Sequence, residues 1–275
     1  GDNQFFGINH SDLAKGLNDK KKFSTNNDIK NFIQKSLAIG LNGFMINSNL
    51  TGYQILNNFN FPSEKEIHYS IPYPHKYANM VNENGISSLL TFFLKNTTFS
   101  KIIYCLPKYI FTRNLKYLIP IATSLEIPRN IPKGSYIYLQ NVLTDLIIGL
   151  KRIDILEYFV KEIRKSGFKP GIITLNPTIL NSIIEKSQIL NCEDLVLCFN
   201  INNAGFNVFP NLIEVKKLVN SKKVYKTMGM SIFASGGAQN INESIKFIKS
   251  LNLDYVVFGS SKIKNIKSNY DSFVI

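Results

Sequence analysis

The chain has 275 residues, of which 44% are hydrophobic, and its formal net charge is +13 at pH 7. This length is typical of one barrel domain, so we expect a single domain over residues 1–275. No stretch approaches the ~20 apolar residues of a membrane span. The lysines are dispersed rather than clustered, which argues against a nucleic-acid interface and is typical of solvated surface lysines; alternatively, the positive field attracts an anionic small molecule as partner.

The cysteines and histidines show no ligand spacing. There are three cysteines, an odd number, and no C-x-x-C, so neither a disulfide framework nor a cysteine zinc site is predicted. No H-x-H or H-E-x-x-H spacing supports another metal. This cysteine usage fits a reducing cytoplasm. No signal peptide is visible, and because the first residue is Gly rather than Met we expect a few native residues ahead of it. The oligomeric state is not indicated.

Short apolar runs alternate with segments of helical periodicity along the chain. Eight runs are predicted as strands, namely 2–6, 43–47, 67–71, 135–140, 171–175, 195–199, 228–234 and 255–258. Most lack polar alternation, which is typical of parallel strands that helices cover on the outside. Eight such strands with intervening helices predict an α/β fold, a closed (β/α)₈ TIM barrel.

Several helices between these strands have recognisable ends. Residues 27–28 can cap a helix that Gly40 ends. Asn176 comes directly before a proline, which suits the first helical turn. Asn240 and Glu243 resemble a capping box.

One stretch does not fit the strand count. We interpret 99–133 as an insertion that holds a helix around 112–124. Within it, residues 101–106 could form a ninth strand. Alternatively, residues 2–6 lie outside the barrel and 101–106 form its fourth strand.

Active groups of this fold stand at the carboxyl ends of the strands. The strand predictions therefore yield candidate substrate contacts, which are Asn3, Gln4, His10, Asn141 and Asn176. The same rule brings Gln140 to the end of the fourth predicted strand.

His75 and Lys76 follow the third predicted strand in an aromatic segment. A lysine beside a barrel mouth can form a Schiff base or lower the pKa of a neighbour, and a histidine there can act as general acid or base. The alternative is a surface lysine beside a loop histidine.

Glycine and serine follow the last two predicted strands. Ser235 and Gly236 come after one, and Gly259, Ser260 and Ser261 come after the next. Barrels often bind phosphate with these two loops, because glycine lets backbone N–H groups approach an anion and serine adds a donor. The pattern predicts a phosphate site; the alternative is two ordinary turns.

The run from Val257 to Lys262, with Asn265, Ile266 and Asn269 downstream, resembles the last strand and helix of aldo/keto reductases. The runs 230–236 and 38–44 are similar to other parts of that family's barrel. The resemblance implies NADP or NAD as cofactor. Its phosphate would be held at the serine, Lys262, Asn265 and Asn269 positions.

The resemblance also implies a catalytic set of Asp, Tyr, Lys and His. Tyr53 matches the tyrosine and Lys76 the lysine, whereas Ser48 and Gln140 stand at the aspartate and histidine positions. We expect an NAD(P)-linked oxidoreductase for a small carbonyl or sugar-like substrate, phosphorylated or not. Two alternatives are an aldolase or lyase that uses Lys76, and a barrel that binds without catalysis because two of the four catalytic residues are replaced.

Overall fold

The computed structural model describes residues 1–7, 13–237 and 240–274. Within these ranges, seven parallel strands form one sheet and follow each other in chain order. The strands are β1 (Gly43–Asn47), β2 (Glu66–Ile71), β3 (Tyr136–Leu139), β4 (Lys169–Ile173), β5 (Val196–Asn200), β6 (Lys226–Met230) and β7 (Tyr255–Val256). Each overlaps one of the predicted runs, so seven of the eight strand predictions are confirmed.

Helices precede β1, connect the successive strands and follow β7. They are α1 (Leu13–Lys22), α2 (Asn26–Ala38), α3 (Leu50–Asn58), α4 (Pro74–Asn96), α5 (Phe99–Thr112), α6 (Ile119–Glu126), α7 (Asn141–Gly149), α8 (Ile153–Lys165), α9 (Pro177–Ile184), α10 (Leu212–Asn220), α11 (Ile241–Lys249) and α12 (Ile263–Val274). Short 3₁₀ helices occur at Asn3–Phe6, Leu115–Leu118 and Ala234–Gly236. In the part of the chain that the structure describes, no helix is both long and apolar enough to cross a bilayer.

The strand predicted at residues 2–6 is wrong. Asn3–Phe6 is a 3₁₀ helix that Gly7 follows in a left-handed conformation (φ 71°). The buried Phe5 ring packs edge-on against Phe23 and Phe32, with centroids 4.9 and 5.8 Å away. The aromatic residues that suggested a strand thus pack against helices. A closed barrel of eight strands is therefore not what the described residues form.

The seven strands nevertheless curl into an open barrel. The Tyr255 ring of β7 lies 5.5 Å from His68 of β2 and 6.1 Å from Tyr136 of β3. The Tyr255 hydroxyl donates to Glu66 Oε1 of β2 at 3.3 Å. Because β7 and β2 are far apart in the strand order, these contacts cross the inside of the curved sheet.

Two hydrophobic cores lie on the two faces of the sheet. The inner core is built from Tyr136, Tyr138, Ile173, Val196, Cys198 and Met228. The larger outer core lies between the sheet and the helices and includes Tyr69, Ile137, Ile172, Leu197 and Phe199. Successive strand residues alternate between the two cores, which is why the strands are apolar without interruption.

The strand considered at residues 101–106 is also wrong, because these residues lie inside α5. Cys105 is buried while Ile103, Tyr104 and Leu106 are exposed, so the run presents one face to the protein as a helix does. A six-residue apolar run is too short for its pattern to separate the two structures. The helix predicted around 112–124 is in fact the end of α5 and a separate α6.

The N-cap predicted at residues 27–28 is wrong, because Thr25 is the N-cap of α2 and Asp28 completes a capping box with it. Three other predicted helix ends are confirmed. Gly40 follows the end of α2 at φ 124°. Asn176 is the N-cap of α9, and Asn240 accepts hydrogen bonds from the first-turn amides of α11.

Candidate active site

Two of the predicted catalytic residues meet beside the carboxyl ends of β1 and β2. Tyr53 lies in the first turn of α3, which follows β1, and Lys76 lies in the first turn of α4, which follows β2. The Lys76 ammonium is 5.7 Å from the centroid of the Tyr53 ring. We call Tyr53, Lys76, Tyr77, Asn96 and Glu126 the Lys76 cluster.

A buried ion pair forms the centre of this cluster. Lys76 Nζ donates to Glu126 Oε2 at 2.8 Å, and the two side chains are 0% and 2% exposed. The Tyr77 hydroxyl donates to the other carboxylate oxygen of Glu126, and the Tyr69 hydroxyl donates to its backbone carbonyl at 3.1 Å. Glu126 therefore has both carboxylate oxygens satisfied, as a buried charge requires.

Desolvation and pairing act in opposite directions on this pair. Burial lowers the pKa of Lys76, while Glu126 opposes that shift. Burial likewise raises the pKa of Glu126, while Lys76 opposes it. The Lys76 ammonium also lies over the rings of Tyr77 and Phe92, at 4.8 and 5.2 Å from their centroids. These contacts favour the charged lysine in a buried site.

Tyr53 is 7% exposed, and its hydroxyl donates to Asn96 Oδ1 at 2.9 Å. Desolvation raises the pKa of Tyr53; the Glu126 carboxylate adds to the rise, and the positive charge of Arg129 opposes it. The phenol therefore retains its proton at neutral pH. A group in this state can donate a proton but does not serve as a base.

Glu126 is the functional candidate that the sequence reasoning missed. Ser48, at the position where the resemblance implies an aspartate, is fully buried and lies close enough to interact with Glu126. The carboxylate beside Lys76 thus comes from the 99–133 insertion instead of from the end of β1. A single acid at the end of the apolar segment 118–127 was the available signal, because an acid among buried residues needs a partner.

The other two predicted catalytic residues lie outside the cluster. His75 is exposed in the first turn of α4, where its ring contacts Tyr73 at 5.6 Å, so its segment is helical rather than a loop. Gln140 follows β3, and its Nε2 donates to Ser70 Oγ at 3.4 Å. Gln140 lies at the end of a strand, as predicted, but its hydrogen bond is to Ser70 and not to Lys76.

The turns after β6 and β7 are neighbours. The rings of Phe233 and Phe258, one from each turn, have centroids 6.4 Å apart. In the first turn, the backbone is left-handed at Ser231 (φ 56°), Ala234 (48°), Ser235 (56°) and Gly236 (95°). Such φ values are uncommon for residues with a side chain and tend to occur at functional turns. Residues 238–239, which follow, lie outside the described ranges.

In the second turn, some of the predicted phosphate contacts are exposed and others are buried. Gly259, Lys262 and Asn265 are exposed, and Ser260 Oγ accepts from the Lys262 amide at 3.2 Å. Ser261 and Asn269 are buried. The Lys22 ammonium, at the end of α1, donates to the Ser261 carbonyl, so a second lysine that the sequence reasoning did not select reaches this turn.

The predicted substrate contacts are spread around the same edge of the sheet. Asn3 is exposed, and Gln4 Nε2 donates to the Gly1 carbonyl at 2.8 Å. Asn141 begins α7 and Asn176 caps α9. His10 lies outside the described residues.

Within residues 1–7, 13–237 and 240–274, no group of three His, Cys, Asp or Glu side chains is arranged to hold a metal ion.

The fold is similar to that of a crystal structure described as "the putative aldo-keto reductase from Pseudomona aeruginosa". The likeness has a TM-score of 0.53 at 9% sequence identity, and it covers 90% of this chain and 80% of that chain. No protein-family model matches the sequence. No curated protein matches it either. At this level of identity, the comparison shows a common barrel-like α/β fold.

Proposed function

We propose that the chain is an aldo/keto-reductase-like oxidoreductase, which transfers a hydride between NADP or NAD and a small carbonyl or sugar-like substrate. The substrate is expected with or without a phosphate group. The observation that carries the proposal is the grouping of Tyr53, Lys76 and Glu126 beside the carboxyl ends of β1 and β2. A protonated phenol near a lysine that a carboxylate keeps charged is suited to protonating a carbonyl oxygen. The likeness in fold supports the same class.

In this proposal each residue of the Lys76 cluster has a distinct task. Tyr53 holds the proton that the carbonyl oxygen receives, and its raised pKa keeps that proton in place before transfer. The positive charge of Lys76 favours the phenolate that remains, and Glu126 favours the charged lysine. The cofactor, when bound, supplies the hydride. Tyr53 must exchange Asn96, its present acceptor, for the substrate oxygen.

The turns after β6 and β7 fit the phosphate of such a cofactor. Lys262 stands exposed directly before α12, and a helix N-terminus attracts anions through its free amides and its dipole. Lys22 adds a second positive charge at the same turn. We assign contact with the phosphate to Ser260, Lys262, Asn265 and the backbone of the two turns. Ser261 and Asn269 are buried, and we assign them to the packing of the second turn.

Lys262→Ala is expected to weaken NADPH binding about 10- to 100-fold, because a charged hydrogen bond contributes about 1.5–3 kcal/mol. Fluorescence quenching during NADPH titration measures this. Lys264→Ala is the matched control, since Lys264 is also exposed and lies two residues further along. Equal affinities of the two variants would contradict the assigned phosphate site.

Tyr53→Phe is expected to lower NADPH-dependent carbonyl reduction about 10²- to 10⁴-fold, the usual contribution of a positioned proton donor. NADPH affinity should stay unchanged, because the described contacts of Tyr53 are with Lys76, Phe92 and Asn96 and not with the turns after β6 and β7. Steady-state rates with a panel of small aldehydes and phosphorylated sugars provide the measurement. A Tyr53→Phe enzyme with full activity would remove Tyr53 from the mechanism.

One observation favours a second candidate, a barrel that binds an anion without catalysis. Lys76 and Glu126 are 3% and 1% exposed, and the Tyr53 hydroxyl already has a protein acceptor, so the cluster could serve as a structural anchor for the insertion. NADPH or phosphate binding without turnover, unaffected by Lys76→Ala or Tyr53→Phe, would favour this candidate. The aldolase alternative needs an accessible, neutral lysine, and borohydride trapping of a carbonyl substrate on Lys76 tests it.

A further inference from the structure

A groove of about 270 Å³ separates β1 from β7. Its backbone walls are residues 43–45 of β1 and residues 255–258 at and beyond β7. Apolar side chains from the surrounding helices and from the 3₁₀ helix complete it, namely Phe5, Phe32, Ile33, Leu37 and Ile266. The groove therefore runs along two strand edges, with apolar side chains on the helix side and with Glu66 and His68 of β2 among its polar lining residues.

Neither of these strand edges has a strand partner on the groove side among the described residues. β1 pairs with β2 alone and β7 pairs with β6 alone. The edge of a parallel strand presents N–H and C=O groups that an added strand can bond, and such edges are where extended segments add to sheets. The groove has an edge of this kind on both sides.

The start of the chain already bridges the groove at the mouth of the barrel. The Gly1 amino group donates to the Phe258 carbonyl at 2.8 Å, just beyond β7. The Asp2 carboxylate accepts from the Asn47 amide at 2.7 Å, at the end of β1. A segment joined to the nitrogen of Gly1 would thus enter the groove at its carboxyl end and run parallel to both strands.

We infer that the groove accepts an extended apolar segment joined to the nitrogen of Gly1, which would lie between β7 and β1 and close the sheet as its eighth strand. The inference is independent of the proposed oxidoreductase activity.

The lining also predicts the chemistry of the segment. Apolar side chains of the helices line the groove, and so do Met45, Met228 and Val257 of the strands and the turn after β7. We therefore expect apolar residues at successive positions of the segment. Glu66 and Asp254 lie at or just before the amino ends of β2 and β7, so they favour a basic residue at the start of the segment. A segment of about five residues matches the length of β1.

The test compares the full chain with two extended forms of it. One carries Lys-Ile-Val-Ile-Val ahead of Gly1, and the matched control carries Lys-Gly-Ser-Gly-Ser. Hydrogen exchange of peptides that cover β1 and β7 should slow about tenfold with the apolar extension and stay unchanged with the control. β4, which has neighbours on both sides, serves as the internal reference.

Two outcomes would overturn the inference. Equal exchange at β1 and β7 in both extended forms would show that the groove does not take a strand. Protection of β1 and β7 in the unextended chain by an equimolar amount of free acetyl-Lys-Ile-Val-Ile-Val-amide, equal to that given by the covalent extension, would show that attachment to Gly1 is not needed and would assign the groove to a separate partner.

Discussion

Glu126→Ala is expected to lower the free energy of unfolding by about 3–5 kcal/mol, the usual cost of leaving one member of a buried ion pair without its partner. The Lys76 ammonium would remain in a site where its side chain is 0% exposed, and the hydroxyl of Tyr77 would lose its acceptor. Urea unfolding followed by circular dichroism measures the change. Carbonyl reduction should fall as well, since Lys76 would no longer be held charged beside Tyr53.

The paired replacement of Lys76 by Met and Glu126 by Leu separates the cost of an unpaired charge from loss of the fold. Replacing a buried pair by apolar residues of similar volume is often neutral or stabilising, so this variant should recover most of the stability but no activity. The exposed pair Glu214–Lys217, with side chains 45% and 69% exposed, is the control, and Glu214→Ala should cost less than about 1 kcal/mol. Similar losses for Glu126→Ala and Glu214→Ala would show that burial does not set the strength of the Lys76 cluster.

Gly52→Ala is expected to cost about 1–3 kcal/mol and to lower activity, because the new methyl group would overpack the start of α3. An added Cβ would lie 2.1 Å from the Asn47 carbonyl oxygen and 3.2 Å from Ile46 Cγ1. A backbone oxygen cannot turn aside as a flexible side chain can, so α3 would have to shift away from the end of β1. Tyr53 is the next residue and would move with the helix.

Gly149→Ala is the matched control for this prediction. Gly149 also lies in a helix, but it is exposed and an added Cβ would meet nothing within 4 Å. Alanine there should stabilise the protein by about 0.5–1 kcal/mol, because glycine is the poorer helix residue. Thermal unfolding together with reductase rates compares the two variants. A Gly52→Ala protein as stable and active as Gly149→Ala would mean that the contact with the end of β1 does not position Tyr53.

The structure brings the predicted site residues together to different degrees. Tyr53 and Lys76 were selected from short motifs after strands, and those motifs depend on local order along the chain. Glu126 could not be paired with Lys76 in this way, since the two are joined only by packing of α6 against α4. By contrast, the closeness of the turns after β6 and β7 was expected, because consecutive parallel strands usually lie side by side, and the Phe233–Phe258 ring contact agrees with it. The contact of Lys22 with the second turn was not predicted, because it joins the two ends of the chain.

The sequence by itself determined seven strands and the helices α2, α9 and α11, because continuous apolar runs and capping residues are local signals of burial and chain direction. Only the tertiary structure decided that residues 2–6 pack as a 3₁₀ helix, that 101–106 are helical, and that a carboxylate from the insertion balances Lys76. The physical reason is the same in each case. A short apolar run is compatible with a strand or a helix, and a buried charge is compatible with any partner, until packing against residues distant in the chain selects one of them.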